Sequence, residues 1–406
     1  METRKLRGLE IAKQKENIEQ TASGWLVKSQ SGHGFYKVGK DFVCNCPDSE
    51  FHKAECKHAY AIRYYLSVEK DTPSGLETEK VRLTYKQAWS AYNQAQTSEI
   101  NLFDELLKDL VQEIEEPAYS FGRPKLSLRE VAFCSIQKVY SQLSSRRATS
   151  LFGNALEKGQ IKHKPHFNAV SKLLNKESLT HILHNLLTIT AIPLKSVETD
   201  FAVDSSGFRT TSFNEYMKQR YHLQKEHEWL KAHICIGVKT NVITSVEVTD
   251  GSASDSPQFE TLVISTKNNG FNVQEVSADK GYSSRDNYEV VQSIKAQAYI
   301  PFRSNATGTS KGSALWKKMF HYFQMNQQEF YEHYHKRSNV EATFSSIKKK
   351  FGETLKSKNR IAQENELLCK LIAYNITVLI MEMHELGISP EFCTQSQKPA
   401  LKVSQI

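Results

Sequence analysis

The spacing of apolar residues changes along the chain, and each change marks a region of different predicted secondary structure. Near the amino terminus, residues 25–31 and 34–43 read as two strands around a glycine-containing turn, and an apolar helix is predicted over 59–66. A polar segment over 69–79, with one proline and one glycine, predicts a linker. The pattern therefore separates a small first module from the rest of the chain.

Residues 84–190 have the period of amphipathic helices. Leucines at 102, 106, 107 and 110 mark one helical face. Ser127 and Glu130 have the spacing of a capping box, which predicts a helix from there to about Tyr140. The pattern of this region is as consistent with a plain helical spacer or a dimerisation module as with a helical module that recognises DNA.

From about residue 197, strand-like and helical segments alternate. Strands are predicted at 201–203, 233–238, 242–248, 273–278 and 298–302, and helices near 256–268 and 284–295. This order, with further helices after the last strand, predicts an α/β fold with a mixed five-stranded sheet, as in a ribonuclease-H-like core. The apolar run 371–380 is too short to span a bilayer and contains Asn375, so it predicts a buried helix and no membrane association.

Three acidic residues stand at the ends of apolar runs or on a helix in this region. Asp204 follows the apolar run 201–203, Asp279 follows 273–278, and Glu341 lies in a helical segment. Taken singly, each is typical of a cap, a turn or a solvated helix face. As an ordered set of carboxylates from separate elements, they predict a catalytic site for two divalent cations, Mg²⁺ or Mn²⁺, roughly 4 Å apart.

The helical segment around Glu341 also carries groups suited to phosphate. Four residues at offsets of three, seven and fourteen share one stripe of a single predicted helix: Tyr334, Arg337, Glu341 and Lys348. At about 100° per residue they fall within roughly 60° of one another. The phenol, guanidinium and ammonium beside the carboxylate suit phosphate oxygens. Lys349 and Lys350 point progressively away from the stripe, and we expect them to be outer DNA contacts.

The charge is concentrated near this predicted helix. The chain has a net charge of +8, and residues 301–360 alone hold twelve Lys or Arg against four Asp or Glu. A basic surface beside a metal site favours a polyanionic partner, of which nucleic acid is the obvious example. The charged amino terminus lacks the apolar core of a signal peptide, and the seven cysteines do not form a secreted disulfide pattern. We therefore expect a cytoplasmic location.

Three of the cysteines cluster with a histidine in the first module. Cys44, Cys46, Cys56 and His58 follow the pattern Cys-x-Cys-x9-Cys-x-His, after the predicted hairpin and before the predicted helix. Three thiolates and one imidazole are a usual ligand set for structural Zn²⁺. The alternative is a few buried free cysteines with a chance histidine. His52 is a further histidine that could compete as a ligand.

These motifs resemble those of the DDE transposases of bacterial and archaeal insertion sequences. The stripe matches the Tyr-x2-Arg-x3-Glu-x6-Lys signature of one branch at every position, and the contexts 202–207 and 277–282 of the first two acids are similar. A further family-like stretch runs from 248–251 through 255–257, where Asp250 and Asp255 are interpreted as turn and helix-capping residues. The resemblance covers about residues 195–385. The cysteine motif with its flanking elements resembles a SWIM zinc finger.

The resemblance implies five segments. They are a SWIM-type finger at 1–70, a linker at 71–83, a helical region at 84–195 that binds the transposon end, a ribonuclease-H-like catalytic domain at 196–385, and a tail at 386–406. It implies cut-and-paste transposition by a homodimer on double-stranded DNA, both the inverted-repeat ends and the target, in a prokaryotic cytoplasm at the nucleoid. The alternatives are a domesticated DNA-binding regulatory protein that does not recombine DNA, and a stand-alone nuclease of the same fold.

Overall fold

The computed structural model describes most of the 406-residue chain. The described residues are 3–21, 24–29, 34–52, 55–70, 88–118, 121–122, 125–210, 229–309, 311 and 313–392. The chain divides into two compact units, residues 1–87 and 88–406. The predicted linker at 71–83 and most of the predicted tail at 386–406 lie outside the described residues. The predicted boundary near residue 195 stays a prediction.

The first unit is a small α/β module around one antiparallel sheet. Its elements are α1 (Thr3–Lys13), β1 (Ile18–Thr21), β2 (Gly24–Lys28), β3 (Phe35–Gly39), α2 (Pro47–His52) and α3 (Lys57–Lys70). The sheet order is β1-β2-β3. The hairpin and the helix after it were predicted, whereas β1 was not. Ile18 is the only buried residue of β1, so this strand has little apolar pattern of its own and depends on pairing with β2.

The second unit begins with five helices. They are α4 (Trp89–Leu110), α5 (Leu128–Tyr140), α6 (Ala148–Glu157), α7 (Phe167–Leu174) and α8 (Glu177–Ala191). The predicted start of α5 is confirmed, because the Ser127 side chain accepts a hydrogen bond from the Glu130 amide. The Glu130 carboxylate, however, accepts from the amide of Lys162. A carboxylate from farther away, that of Glu116, accepts from the first amides of α5.

The remaining elements of the second unit build the sheet and its covering helices. In chain order they are β4 (Asp200–Arg209), β5 (Trp229–Gly237), β6 (Ile243–Asp250), α9 (Gln258–Asn268), β7 (Glu275–Ala278), α10 (Arg285–Ser293), β8 (Gln297–Tyr299), α11 (Ala314–Met325), α12 (Gln327–Tyr334), α13 (Ser338–Phe351) and α14 (Arg360–Glu385). The sheet order is β6-β5-β4-β7-β8. β4, β5 and β6 pair antiparallel, while β7 and β8 run parallel to β4. The predicted α/β fold with a mixed five-stranded sheet is confirmed.

Helix α14 forms the centre of the core of this unit. It contacts α4, α5 and α8 along its length, and the run 371–380 is buried as predicted. By length and composition α14 is apolar enough to cross a membrane, but 83% of its most apolar window is buried inside the unit. Burial of this extent accounts for its apolar composition, because a helix that is apolar on all sides packs well inside a domain.

Asn375, the polar residue inside this apolar helix, completes an edge of the sheet. β6 is an edge strand, and the Asn375 side chain takes the place of a neighbouring strand. Its Oδ1 accepts from the Ile243 amide at 2.9 Å, and its Nδ2 donates to the Ile243 carbonyl at 2.8 Å and to Thr190 Oγ1 at 2.9 Å. A buried polar group in a core helix is stable when it is hydrogen-bonded in this way.

We expect Asn375→Ala to lower the free energy of unfolding by about 2–3 kcal/mol, because it leaves buried backbone groups of Ile243 without partners. Urea denaturation of the full chain measures the change. Thr377→Ala is the matched control, since the Thr377 hydroxyl donates to the Tyr374 carbonyl of its own helix. Equal effects of the two substitutions would show that the edge contact does not contribute.

Candidate functional site

Two of the three predicted acids lie at adjacent positions of two neighbouring parallel strands, Asp204 within β4 and Asp279 directly after the end of β7. β4 and β7 pair in a register that sets Val203 opposite Ala278, so Asp204 and Asp279 follow at adjacent positions. The apolar run ends at Val203, but β4 continues to Arg209, and Asp204 is an interior residue of the strand. Pairing with β5 extends the strand through its polar residues, because backbone hydrogen bonds do not depend on side-chain polarity.

The third acid reaches the first through an arginine. Arg337 Nη1 lies 2.6 Å from Asp204 Oδ2, and Nη2 of the same guanidinium pairs with Glu341 Oε1. The Asp204 and Arg337 side chains are 20% and 17% exposed, whereas that of Glu341 is 60% exposed. Among the described residues, no three carboxylates have ligand oxygens all within 4.8 Å of one another. The Arg337 guanidinium lies between the Asp204 and Glu341 carboxylates and forms an ion pair with each of them.

The electrostatic environment of Asp204 disfavours its charged form. Burial raises the pKa of its carboxyl above the usual value, and the negative charges of Asp279 and Glu341 act in the same direction. The Ser205 amide, which donates to Asp204 Oδ1 at 2.8 Å, and the Arg337 charge oppose this rise without cancelling it. The Asp279 and Glu341 carboxylates are thus close enough to Asp204 to affect its pKa. A group of three acids this close together favours a bound cation.

The predicted stripe is present, but the prediction of one continuous α-helix is wrong. Tyr334 ends α12, residues 335–337 form a 3₁₀ turn, and α13 begins at Ser338. Lys336 in this turn pairs with Asp200 at 2.6 Å and with Glu275 at 2.7 Å, across the start of β4 and β7. Contacts with two strands thus accompany the tighter turn, and helical periodicity contains no sign of them.

The side chains of the stripe still face the first acid. The Arg337 guanidinium lies 5.8 Å from the ring centre of Tyr334, and Lys348 Nζ donates to Ser206 Oγ at 2.8 Å, on β4 two residues after Asp204. Burial lowers the pKa of Lys348. The two lysines that follow differ from it and from each other. Lys349 is exposed, whereas Lys350 Nζ pairs with Glu99 of α4 at 2.7 Å.

Asp255 is a residue of this neighbourhood that the sequence analysis assigned a different role. α9 starts at Gln258 without a side-chain cap, so the predicted capping by the Asp255 carboxylate is wrong. Its Oδ1 instead accepts from Ser205 Oγ at 2.9 Å and lies 2.6 Å from Lys231 Nζ and 3.4 Å from His233 Nδ1. Asp255 therefore fixes Ser205, the residue next to Asp204. The only sequence signal was the family-like stretch in which it occurs.

His233 of β5 completes this network without adding a positive charge near neutral pH. Its side chain is fully buried beside Asp255, and its Nε2 lies 2.8 Å from the hydroxyl of Thr249. Burial lowers the pKa of His233 to about 4, despite the opposing charge of Asp255. A neutral imidazole in this position supports β4 by packing and hydrogen bonding.

The comparison of the sequence with protein families agrees with this geometry. Residues 195–376 match the family described as the transposase DDE domain, and this range contains both strand acids, Glu341 and the stripe. Residues 195–376 are therefore similar to a transposase DDE domain. Within this range Asp204 lies in β4, Asp279 directly follows β7 and Glu341 lies in α13.

Two known proteins are similar to the chain beyond the family match. A probable transposase for insertion sequence element ISA1214 from Archaeoglobus fulgidus is 25% identical over 213 residues, which is 52% of this chain and 63% of that protein. The chain therefore spans less than two thirds of the length of that relative. The cryo-EM structure of a piggyBac transposase synaptic complex with hairpin DNA aligns over 72% of this chain and 74% of that chain, at 11% identity and a TM-score of 0.33.

A second cluster lies outside the DDE domain, in the first unit. Cys44, Cys46, Cys56 and His58 are all buried, and their ligand atoms lie within 4.8 Å of one another. The Sγ atoms of Cys44 and Cys56 are each 3.8 Å from His58 Nδ1. A zinc tetrahedron with bonds of about 2.0–2.3 Å has edges of roughly 3.5–3.8 Å, so the cluster has the dimensions of a structural zinc site. The side chain of His52 lies outside the described residues.

The pKa values of two of these thiols are shifted in opposite directions. The hydrogen bond with Cys44 lowers the pKa of Cys56 to about 3, with a further contribution from His58, whereas the pKa of the Cys44 thiol is raised. Thiolate is the form that binds metal, and a thiolate inside a cluster of four soft donors is compatible with Zn²⁺.

Proposed function

We propose that the protein is a cut-and-paste DNA transposase, which cleaves DNA at transposon ends and transfers the freed strand into target DNA. The observation that carries the proposal is the adjacent position of Asp204 in β4 and Asp279 just after β7, with Arg337 joining Asp204 to Glu341, in a region similar to a DDE domain. The printed name of the archaeal relative, a probable insertion sequence transposase, supports the same activity.

The donor set fits a hard divalent cation. Asp204, Asp279 and Glu341 offer carboxylate oxygens, the ligands that Mg²⁺ and Mn²⁺ prefer. Burial, together with the negative charges of Asp279 and Glu341, raises the pKa of Asp204. These three residues would hold two such ions. When bound, the ions supply Lewis-acid stabilisation of the attacking and leaving oxygens of a phosphodiester.

The residues of the stripe would act on the DNA backbone. Arg337 presents two N–H groups to two carboxylates, and the same planar fork fits the oxygens of a phosphate. Lys348, held by Ser206 beside Asp204, places an ammonium near the same point. Tyr334 lies against Arg337 and would contact the backbone or stack on a displaced base. Lys349 and Lys350 would bind the backbone farther out. Catalysis would rest on positioning and charge stabilisation.

A strand-transfer assay tests the proposal. Purified protein is incubated with Mg²⁺ and a DNA fragment from the flanks of its own gene, and the products are compared with a reaction that contains a chelator. Transfer of a cleaved strand into a second DNA supports the transposase. Cleavage without transfer would indicate a stand-alone nuclease. Binding without either reaction would indicate a domesticated DNA-binding protein.

The lysines at the end of α13 allow the catalytic and binding roles to be separated. We expect Lys348→Ala to reduce strand transfer at saturating DNA by roughly 10²-fold, since its ammonium donates to Ser206, two residues after Asp204 on β4. Lys349→Ala should leave the saturated rate unchanged, weaken binding, and reduce the slope of log K against log salt by about 0.9, as one lost phosphate contact does. If both variants changed binding alone, the stripe would be only a basic face.

The remaining assignments are part of the same proposal. Residues 1–70 would form a SWIM-type finger that binds structural Zn²⁺ and assists DNA or partner binding, 84–195 a helical region that recognises the transposon end, and 196–385 the catalytic domain. The protein would act in the cytoplasm on nucleoid DNA. It would work as a homodimer, because two element ends must be paired, and light scattering of the protein with and without end DNA measures the stoichiometry.

A further inference from the structure

A cleft of about 480 Å³ lies in the second unit, away from the three acids in the chain. It is bounded by the carboxyl end of α5 and the turn after it, the carboxyl end of α7, and the loop 352–359 that leads into α14. Charged and hydroxyl groups line much of it, including Lys138, Lys356, Lys358, Ser145, Ser171 and Ser357. Among the described residues that line the cleft there is no carboxylate, so its charge is positive.

Lys138 is the most informative of these residues. It is 8% exposed, so most of its side chain is buried at the end of α5. Within the described part of the chain, its ammonium has neither a hydrogen bond nor an ion pair. The aliphatic stem is buried while the ammonium is accessible from the cleft, so the positive charge faces the cleft without a protein partner. An anion in the cleft would supply that partner.

The loop on the other side of the cleft is fixed by the protein itself. The buried carboxylate of Glu366 accepts from the amides of Lys356 at 2.9 Å and Ser357 at 2.8 Å. Gln363 Nε2 donates to the carbonyls of Ser357 at 3.1 Å and Lys358 at 3.3 Å. A loop held at both its amides and its carbonyls is ordered before a ligand arrives, which reduces the entropic cost of binding.

The amino terminus of α14 adds to the positive character of the cleft. Asn359 occupies the N-cap position and lines the cleft, but its side chain does not cap the helix. It donates instead to Asn175 Oδ1 at 2.6 Å. The first amides of a 26-residue helix therefore lack a side-chain cap beside three lysines. Uncapped helix amino termini favour anions such as phosphate.

We propose that this cleft binds a phosphate of the DNA backbone, at a second point of attachment outside the carboxylate site. The inference rests on the proposed function for its choice of DNA as the source of phosphate. The cleft is connected to the catalytic helix, because Gln142 Nε2 in its bounding turn donates to the carbonyl of Lys350. Lys350 is nine residues after Glu341, or about 14 Å along α13. That separation along α13 corresponds to the length of roughly four base pairs, and we expect one duplex to contact both the acids and the cleft beyond Lys350.

The test measures DNA binding by the full-length protein as a function of salt. Lys138→Met removes the charge and keeps the packing of the side-chain stem. Lys172→Met is the matched control, because Lys172 is an exposed lysine of α7 that does not line the cleft. We expect Lys138→Met to reduce the slope of log K against log salt by about 0.9, and the control to leave it unchanged. Lys358→Met, at an exposed position, should repeat the effect even if Lys138→Met folds poorly.

The outcomes separate this inference from the proposed function. Strand transfer by the unchanged protein is assayed in parallel. If strand transfer is absent while Lys138→Met reduces the salt slope, the proposed transposase function is rejected and the proposed phosphate site in the cleft stands. Unchanged slopes for both cleft variants would overturn the inference even if strand transfer occurs. In a second arm, inorganic phosphate is added to a thermal melt. If phosphate raises the midpoint of the unchanged protein but not of Lys138→Met while the DNA slopes stay equal, the cleft binds free phosphate and the assignment to DNA is wrong.

Discussion

Asp204→Asn, Asp279→Asn and Glu341→Gln are each expected to reduce cleavage and strand transfer by a factor on the order of 10³ or more. Each substitution keeps the size of the side chain and removes the charge of a proposed cation ligand. End binding should be retained or slightly tightened, because a negative charge near the DNA backbone is lost. Band-shift and strand-transfer assays on the same preparations measure the two properties.

The control for these three variants is Asp286→Asn. Asp286 is an exposed acid in the first turn of α10, so its loss tests the effect of net charge without changing the site. Asp204→Asn differs from the other two because it also weakens the ion pair with Arg337, which lies 2.6 Å away. Near-normal cleavage by any one of the three variants would exclude that residue from the cation site.

The ion pairs of Arg337 allow a test of whether the acids position its guanidinium. Since the guanidinium contacts both Asp204 and Glu341, its position depends on two of the acids that it neutralises. Double substitution of Arg337 with either acid should therefore be less harmful than the sum of the single effects, as residues that act as a unit are not additive. Independent, additive losses would show that Arg337 acts on DNA without being positioned by the acids.

Removal of zinc is expected to unfold the first unit. The four proposed ligands Cys44, Cys46, Cys56 and His58 are all buried, so we expect the unit to depend on bonds between them and a metal. Structural zinc sites contribute apparent free energies of about 10–16 kcal/mol, which exceeds what a core of this size supplies. Isolated residues 1–87 should show the circular dichroism of a folded module with Zn²⁺ and lose it on addition of a chelator.

Full-length protein gives the complementary measurement. Purified without chelators, it should contain one zinc per chain, and Cys56→Ser should remove that zinc. Cys134→Ala is the control, because Cys134 is a buried cysteine of α5 in the second unit, outside the cluster. Elemental analysis that finds no zinc in the unchanged protein would leave the alternative, in which these are buried free cysteines beside a histidine.

The sequence by itself determined most of the strands and helices and the residue types of the proposed site. The strands of the DDE domain follow from runs of apolar residues, and the positions of Asp204, Asp279 and Glu341 follow from ordered motifs. The metal-ligand motif of the first unit is likewise contained in fifteen consecutive residues, 44–58. Each of these signals is local, because period, residue type and spacing are read within one short stretch of chain.

The tertiary structure decided which of these groups meet. Arg337 contacts Asp204 across 133 positions of sequence, and Lys350 pairs with Glu99 across 251. The 3₁₀ turn before α13, the Asn375 contact at the sheet edge and the cleft around Lys138 also join distant segments. Helical and strand periodicity describe only how a segment faces its surroundings, and they do not say which segment lies opposite. Strand register and helix packing supply that information, and they exist only in the folded chain.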